Sequence, residues 1–440
     1  MSNLDFEQSV KWLTDNGGYF NPNLERKADQ NGVFGIYAKG SIKADDVLCR
    51  IPNKCAITDK LHESPETWNR KLKLTYSILK EKQKGQDSFF KNTVKCMTPL
   101  EEFREYHPYF LSDVEHELLN GLSPIFQMLK NGIKQGYEGT VKEIQAHDPS
   151  FTEEEILWGC MNNNTRSWLG LYLPVMEMFN NSIRHGNINQ TLEEESLVKA
   201  KTDYQIGEQV YISYGNKDML ALSYEYGFYD PSDYPLVLPL ALNYTGTTPL
   251  NFAVGRMLIE QGFKGALSED QKTIVVGIDD LGKIQRMGKL ICFSREGISR
   301  DLFRIFEIFS IENYSELAER KGPYKRTLKY LSDHLTRMIG EELKIDISGS
   351  KSQVYLTMVK VLQERMKILR DCRAWIQKEL EKNGGLDNTN TTTNNTTGSV
   401  VEIAQGAKME VNGGAAVGGS AVIKNNNNGA VVGAVIGSAK

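Results

Sequence analysis

No two cysteines of this 440-residue sequence stand at C-x-x-C spacing; Cys49, Cys55, Cys96, Cys160, Cys292 and Cys372 are scattered along it. That excludes the usual zinc framework and a disulfide scaffold, and no metal is expected. Basic residues are not in excess: 52 Lys and Arg face 56 Asp and Glu, for a net charge of −4. Nor do they form a run, so the basic stripe that nucleic acid requires is missing and none is expected as a partner. No apolar stretch approaches the roughly 20 residues that span a bilayer, so no membrane segment is expected. Met1 to Gln8 lacks a basic region leading into an apolar one, and no secretory leader is expected. None of the six histidines has a catalytic or ligand spacing. The expected setting is the reducing cytoplasm, extending to the nucleus.

The composition, 40% hydrophobic and 25% charged, is that of a globular chain, and its length calls for two domains. Short apolar runs and turn residues between Val33 and Ile57 read as two strands in a hairpin-like arrangement. From Trp68 to about Glu81 the period becomes helical, with Leu72, Tyr76 and Leu79 on one side. Helical patterning continues loosely from Leu111 to Ile144. Thr152 and Glu155 form a capping box for the next helix. Strand patterns return at Val175–Phe179, Leu197–Lys201 and Gln209–Tyr214. From Asn251 to Leu380 the chain reads as helical, ending in a stripe of Val354, Met358, Leu362, Met366, Leu369, Cys372 and Trp375. Beyond Leu386 the sequence is Asn, Thr, Gly and small apolar residues, too poor in core-forming side chains to offset its ordering entropy.

The most informative segment is Gly207-Glu-Gln-Val-Tyr-Ile-Ser-Tyr214-Gly215. Alternation puts Val210, Ile212 and Tyr214 on one face and Tyr211 and Ser213 on the other. Tyr226-Gly227-Phe228 follows twelve residues later. Upstream lie Gly32-Val-Phe-Gly35-Ile-Tyr-Ala38, then Asn164-Thr-Arg166-Ser-Trp168, then Leu173-Pro-Val-Met-Glu177-Met-Phe-Asn180-Asn181-Ser182. In chain order these five segments resemble the SET-domain methyltransferases related to the Rubisco large-subunit lysine methyltransferase and the actin histidine methyltransferase. The resemblance runs over about residues 17–230, with a weaker helical continuation.

The resemblance implies an α+β fold: a SET domain over 1–240 with a helical insert at about 60–150, then an all-α substrate-binding domain over 241–385. A disordered tail over 386–440 completes the expected organisation. The resemblance further implies S-adenosylmethionine as cofactor, cradled by Gly32, Val33 and Phe34 and held by Arg166, Asn180, Asn181 and Tyr214. Tyr214 would be the catalytic tyrosine, and Arg166, Glu177 and Tyr226 would meet the target side chain. The implied protein acts as a monomer on a lysine of a non-histone protein substrate. Where the family places Gly, Asp and His, this sequence has Val33, Glu177 and Asn181. In the histidine-directed branch the position of Trp168 is Asn, whereas lysine-directed members carry an aromatic there. A histidine-directed enzyme and a non-catalytic SET-like scaffold are the alternatives.

Overall fold

The computed structural model describes residues 2–383, apart from 31, 123, 216, 231–232, 234, 238–242, 262, 268–273, 278–290 and 341–350, together with 409–410, 422–424 and 431–432. The chain begins with α1 (Asn3–Asp15), whose capping box pairs Ser2 with Asp5. Five short strands follow: β1 (Tyr19–Phe20), β2 (Leu24–Ala28), β3 (Phe34–Ala38), β4 (Val47–Pro52) and β5 (Ile57–Thr58). The helical insert comprises α2 (Arg70–Lys84), α3 (Lys91–Cys96), α4 (Leu100–Tyr106), α5 (Asp113–Leu122), α6 (Pro124–His147) and α7 (Glu153–Arg166). The chain then returns to strands as β6 (Leu171–Tyr172), β7 (Asn189–Thr191), β8 (Glu195–Lys199) and β9 (Gln209–Val210), and ends this half with α8 (Met219–Tyr226).

The local expectations hold where the signal is local. The Thr152 side chain accepts from the Glu155 amide, and the Glu155 side chain accepts from the Thr152 amide, opening α7 as its sequence requires. Leu72, Tyr76 and Leu79 are buried along α2. The hairpin expected between 33 and 57 is not formed. β3 pairs with β2 and β9, whereas β4 pairs with β1 and β8 in a second sheet of order β1-β4-β8-β7. Partners far along the chain, Val210 for Ile36 and Leu197 for Arg50, replace the neighbour that sequence spacing suggested. The strand expected over Val175–Phe179 is instead a 3-10 turn, Met176–Met178.

Downstream lie β10 (Asn243–Gly246), α9 (Pro249–Glu260), β11 (Lys264–Leu267), β12 (Ile274–Gly277), β13 (Phe293–Ser294) and β14 (Gly297–Ile298). Four helices complete the region: α10 (Arg300–Phe309), α11 (Tyr314–Glu319), α12 (Tyr324–Ile339) and α13 (Gln353–Lys382). The fold is α+β followed by a helical region, into which one three-stranded sheet and one hairpin are let. Along α13 the apolar stripe is buried up to Cys372; then Ile376 takes the core position, and Trp375 is 44% exposed. The tail lies mostly outside the described residues; Met409–Glu410, Val422–Lys424 and Val431–Val432 pair as short antiparallel strands.

Three apolar clusters result. One joins the two sheets through Ile36, Leu48, Ile51, Phe179, Val198 and Ile212. A second fills the insert between α2, α6 and α7. The third gathers α10, α12 and α13, and it also takes in Leu119 and Phe126 from the insert and Leu220 and Tyr224 from α8. Asp218, which caps α8 by accepting from the Leu220 amide at 2.8 Å, is paired with Arg365 of α13 at 3.6 Å, and both side chains are nearly buried. The helical region thus grips α8 directly.

Candidate active site

Four stretches of backbone build the site. Helix α7 delivers Arg166 as its last residue, and Arg166 Nη1 donates to the Glu177 main-chain carbonyl at 3.1 Å. A two-residue hairpin then reverses the chain: the Trp168 and Leu171 amides each donate to the other's carbonyl. Leu169 and Gly170 both have positive φ (47° and 79°), the combination of a type I′ turn. Next, the Met176 amide donates to the Pro174 carbonyl at 2.7 Å around Val175, which has φ 67° and ψ −38°. This is a γ-turn of the rare, strained hand, and a β-branched residue at its centre costs on the order of 1–3 kcal/mol. The 3-10 turn that follows sinks Glu177 to 6% exposure.

The segment after β9 runs between two arms of one loop. The Ile212 amide donates to the Asn180 carbonyl and the Ser182 amide to the Ile212 carbonyl, while the Asn187 amide donates to Tyr211 and the Ser213 amide to Asn187. Tyr214 emerges from this clasp with its amide donating to Asn181 Oδ1 (2.9 Å) and its hydroxyl donating to the Phe179 carbonyl (3.0 Å). Its ring lies 5.1 Å from that of Tyr226, at the end of α8, and 6.5 Å from that of Phe228. Gly227 closes α8 at φ 78°, and a Cβ there would stand 2.7 Å from the Tyr106 carbonyl, so glycine is required twice over.

These parts surround an open cleft lined by Arg166, Trp168, Met176, Glu177, Tyr214 and Tyr226, among others. The sequence candidates Arg166, Glu177, Tyr214 and Tyr226 therefore share one cleft. Asn181 supports it through Tyr214, and Asn180 Nδ2 donates to the Phe34 carbonyl at 3.0 Å. A Cβ on Gly35 would come within 2.8 Å of that same Asn180 nitrogen and 2.2 Å of Gln209 Nε2, so glycine permits the approach. Gly32 and Val33 do not line the cleft. They form an exposed hairpin turn, with Gly32 at φ 80° and the Val33 amide donating to Asp29 Oδ1. The Phe34 ring, 44% exposed, carries the Arg26 guanidinium 3.8 Å above its centre.

Buried polar atoms without hydrogen-bond partners collect around this cleft: Arg166 Nε, Trp168 Nε1, Tyr172 Oη, both carboxyl oxygens of Glu177 and Asn181 Nδ2. Native interiors rarely leave such atoms bare, so the arrangement is suited to a polar ligand that supplies the partners. Burial pushes the Glu177 carboxyl up to about 8, its own peptide N–H and Arg166 offsetting only part of the effect. Burial likewise pushes the Tyr214 and Tyr226 phenols up, keeping both protonated at neutral pH. The cleft thus offers an aromatic wall, a carboxyl floor and free N–H donors. Among the described residues no group of His, Cys, Asp or Glu is arranged to hold a metal, and no helix is long and apolar enough to cross a membrane.

Trp168, which marks the lysine-directed members in the sequence comparison, lines the cleft, and Phe228, quoted with its motif but without a role, stands edge-on to Tyr214. Tyr106 of α4 faces Arg166 from the insert and carries no motif signal at all.

Residues 33–215, somewhat under half of the chain, match the family model described as the SET domain. It is 25% identical over 263 residues to the actin-histidine N-methyltransferase of Gallus gallus, across 51% of this chain and 42% of that protein. The chain therefore spans less than half of that relative's length. Its fold is similar to the SET domain of LSMT bound to lysine and AdoHcy, with a TM-score of 0.55 at 15% identity, covering 86% of this chain and 92% of that one. Rubisco LSMT bound to AdoMet gives 0.53 at 15% identity, with the same coverage. At such identities the likeness is one of fold.

Proposed function

We propose that this chain is an S-adenosylmethionine-dependent protein-lysine N-methyltransferase acting on a non-histone protein in a reducing compartment. The observation that carries the reading is the convergence of Arg166, Glu177, Tyr214 and Tyr226 on one cleft whose buried polar atoms await partners. The residues fit the cofactor: Asn181 Nδ2 and Arg166 Nε are orphaned donors suited to a carboxylate. The cofactor supplies a methyl group activated on a sulfonium. The chain's own part is positioning and electrostatics. Tyr214 and Tyr226 wall a narrow apolar passage that strips water from the incoming side chain, which lowers the pKa of an ammonium. The Tyr214 hydroxyl, donating its hydrogen bond to the Phe179 carbonyl, keeps its lone pairs for an N–H of the target. The six cysteines are free and buried, in keeping with a reducing setting.

A histidine target is the second reading, and the named actin-histidine relative favours it. Trp168, an aromatic on the cleft wall, favours lysine. The helical region would dock the protein substrate. Calorimetry with S-adenosylmethionine tests the enzyme against a scaffold. Binding on the order of micromolar, followed by transfer of labelled methyl to lysine in a cell extract and mass spectrometry of the labelled band, is the expected result. Absence of binding favours the scaffold; label on histidine corrects the target.

A further inference from the structure

Glu177 differs from the other titratable groups of the cleft in having no evident work within the fold. Apart from the influence of its own peptide N–H, neither carboxyl oxygen has a hydrogen-bond partner, although the residue is 6% exposed. The guanidinium beside it bonds its main-chain carbonyl instead. Leaving such a group bare costs about 1–3 kcal/mol, so its retention in a cleft points to a ligand.

The groups that face Glu177 are poor proton acceptors at neutral pH. Arg166 of α7 is permanently charged. Tyr172 of β6 and Tyr214, with Tyr226 of α8 in the same cleft and Tyr106 of α4 beside Arg166, are phenols that burial pushes up. Burial also raises the thiols of Cys49 on β4 and Cys96 on α3. Among the described residues no histidine lines the cleft.

Resting on the methyltransferase reading, we propose that the Glu177 carboxylate is the proton acceptor that converts the target lysine ammonium into a neutral amine. The N–H bond breaks and its electron pair stays on nitrogen as the lone pair; the proton forms an O–H bond on Glu177. A cation and an anion become two neutral groups, a change that a poorly solvated cleft favours. The carboxyl held up near 8 lies where an effective base belongs at working pH. An imidazole, neutral at pH 7 with a pKa of about 6.5, needs no such acceptor, so the bare carboxyl favours an amine.

An infrared difference spectrum between wild type and Glu177→Gln reads the carboxyl with no ligand present. A protonated band that survives at pH 7 and disappears as pH rises through about 8 is expected; full ionisation by pH 6 overturns the proposal. Label transfer from S-adenosylmethionine to extract proteins should rise with pH toward 8 in the wild type. The Gln variant should lose about 100-fold at pH 7 and regain part of it in alkali, with Glu177→Asp recovering some rate. Its S-adenosylmethionine affinity should stay within about twofold. A Gln variant with wild-type rate and pH profile, or one that fails through lost cofactor affinity, overturns the proposal and leaves the methyltransferase reading intact. A wild type that binds no S-adenosylmethionine removes both.

Discussion

Around the cleft, Arg166 Nε, Trp168 Nε1, Asn181 Nδ2 and both Glu177 oxygens are buried without partners, and Val175 holds a strained γ-turn. Around α13, the interior is Leu328, Leu331, Leu335, Met358, Leu362 and Leu369, all at 1% exposure or less. There too some buried polar atoms lack hydrogen bonds, both ring nitrogens of His334 and Nε and Nη2 of Arg365, but Arg365 faces Asp218 and His334 lies against the Phe293 and Phe306 rings. The two regions also titrate in opposite senses. Burial lifts Glu177 to about 8, whereas it depresses His334 to about 3 and His116 to about 4. One half of the molecule keeps groups ready for a ligand at the expense of stability in alkali. The other half is built for stability and weakens in acid.

The contrast fails first at Arg365 if it fails anywhere. Arg365→Ala leaves Asp218 buried without its cation and should lower unfolding free energy by about 3–5 kcal/mol in urea titration. The double change Arg365→Met with Asp218→Asn should restore most of it. A loss under about 1 kcal/mol for the single variant would show that the helical region does not anchor α8.

Glu177→Gln should move stability the other way. The folded carboxyl keeps its proton until about pH 8, while the unfolded one loses it near its ordinary 4.5. The contribution of the neutral form is therefore complete below 4.5 and is lost as pH rises to about 8. Between pH 5 and 9 the variant should gain about 3–4 kcal/mol on the wild type by denaturant unfolding. A difference that does not change with pH would contradict a buried, raised carboxyl.

Tyr214→Phe should leave the fold almost untouched, at about 0.5–1.5 kcal/mol, yet lower turnover by about 100-fold with cofactor affinity unchanged. Tyr211→Phe is the control: its hydroxyl donates to Gln209 Oε1, away from the cleft, and its turnover should match the wild type. Equal losses in both variants would mean architecture rather than chemistry.

The smallest effect concerns His334. Its neutral ring is stabilising above the ordinary 6.5, and that contribution is lost as pH falls toward about 3. Between pH 7.5 and 5, His334→Leu should gain about 2 kcal/mol relative to wild type in thermal or urea unfolding. Parallel curves would place the acid sensitivity elsewhere.

What could be read from the sequence was whatever depends on neighbours in the chain. The Thr152–Glu155 box, the α2 stripe and the Gly207–Gly215 run all carry their own signal within a few residues. Pairing did not, because β3 finds β9 and β4 finds β8 across the whole insert. Along α13 the period of 3.6 drifts over thirty residues, so the core position passes to Ile376 and leaves Trp375 outside. The γ-turn at Val175 had no signal, since a β-branched residue is the last choice for positive φ. Of the site, Arg166, Glu177, Tyr214 and Tyr226 were legible through motif order. Gly32 and Val33 stand on an exposed turn outside the cleft lining. Tyr106 was invisible because nothing in its own sequence marks it.

The clasp around Ile212 has a consequence for how the protein comes apart. Residues 211–213 are hydrogen-bonded on one side to Asn180 and Ser182 and on the other to Asn187. A strand at a sheet edge can peel away; one held between two arms of the same loop has no free side to peel from. Its amides should therefore exchange with solvent only through larger openings of this half of the molecule, and those of Ile212, Ser213 and Tyr214 should rank among the slowest there. Tyr214 is thereby fixed by the same covalent loop that supplies Asn180 and Asn181. Neither half of the site can form, or be lost, without the other.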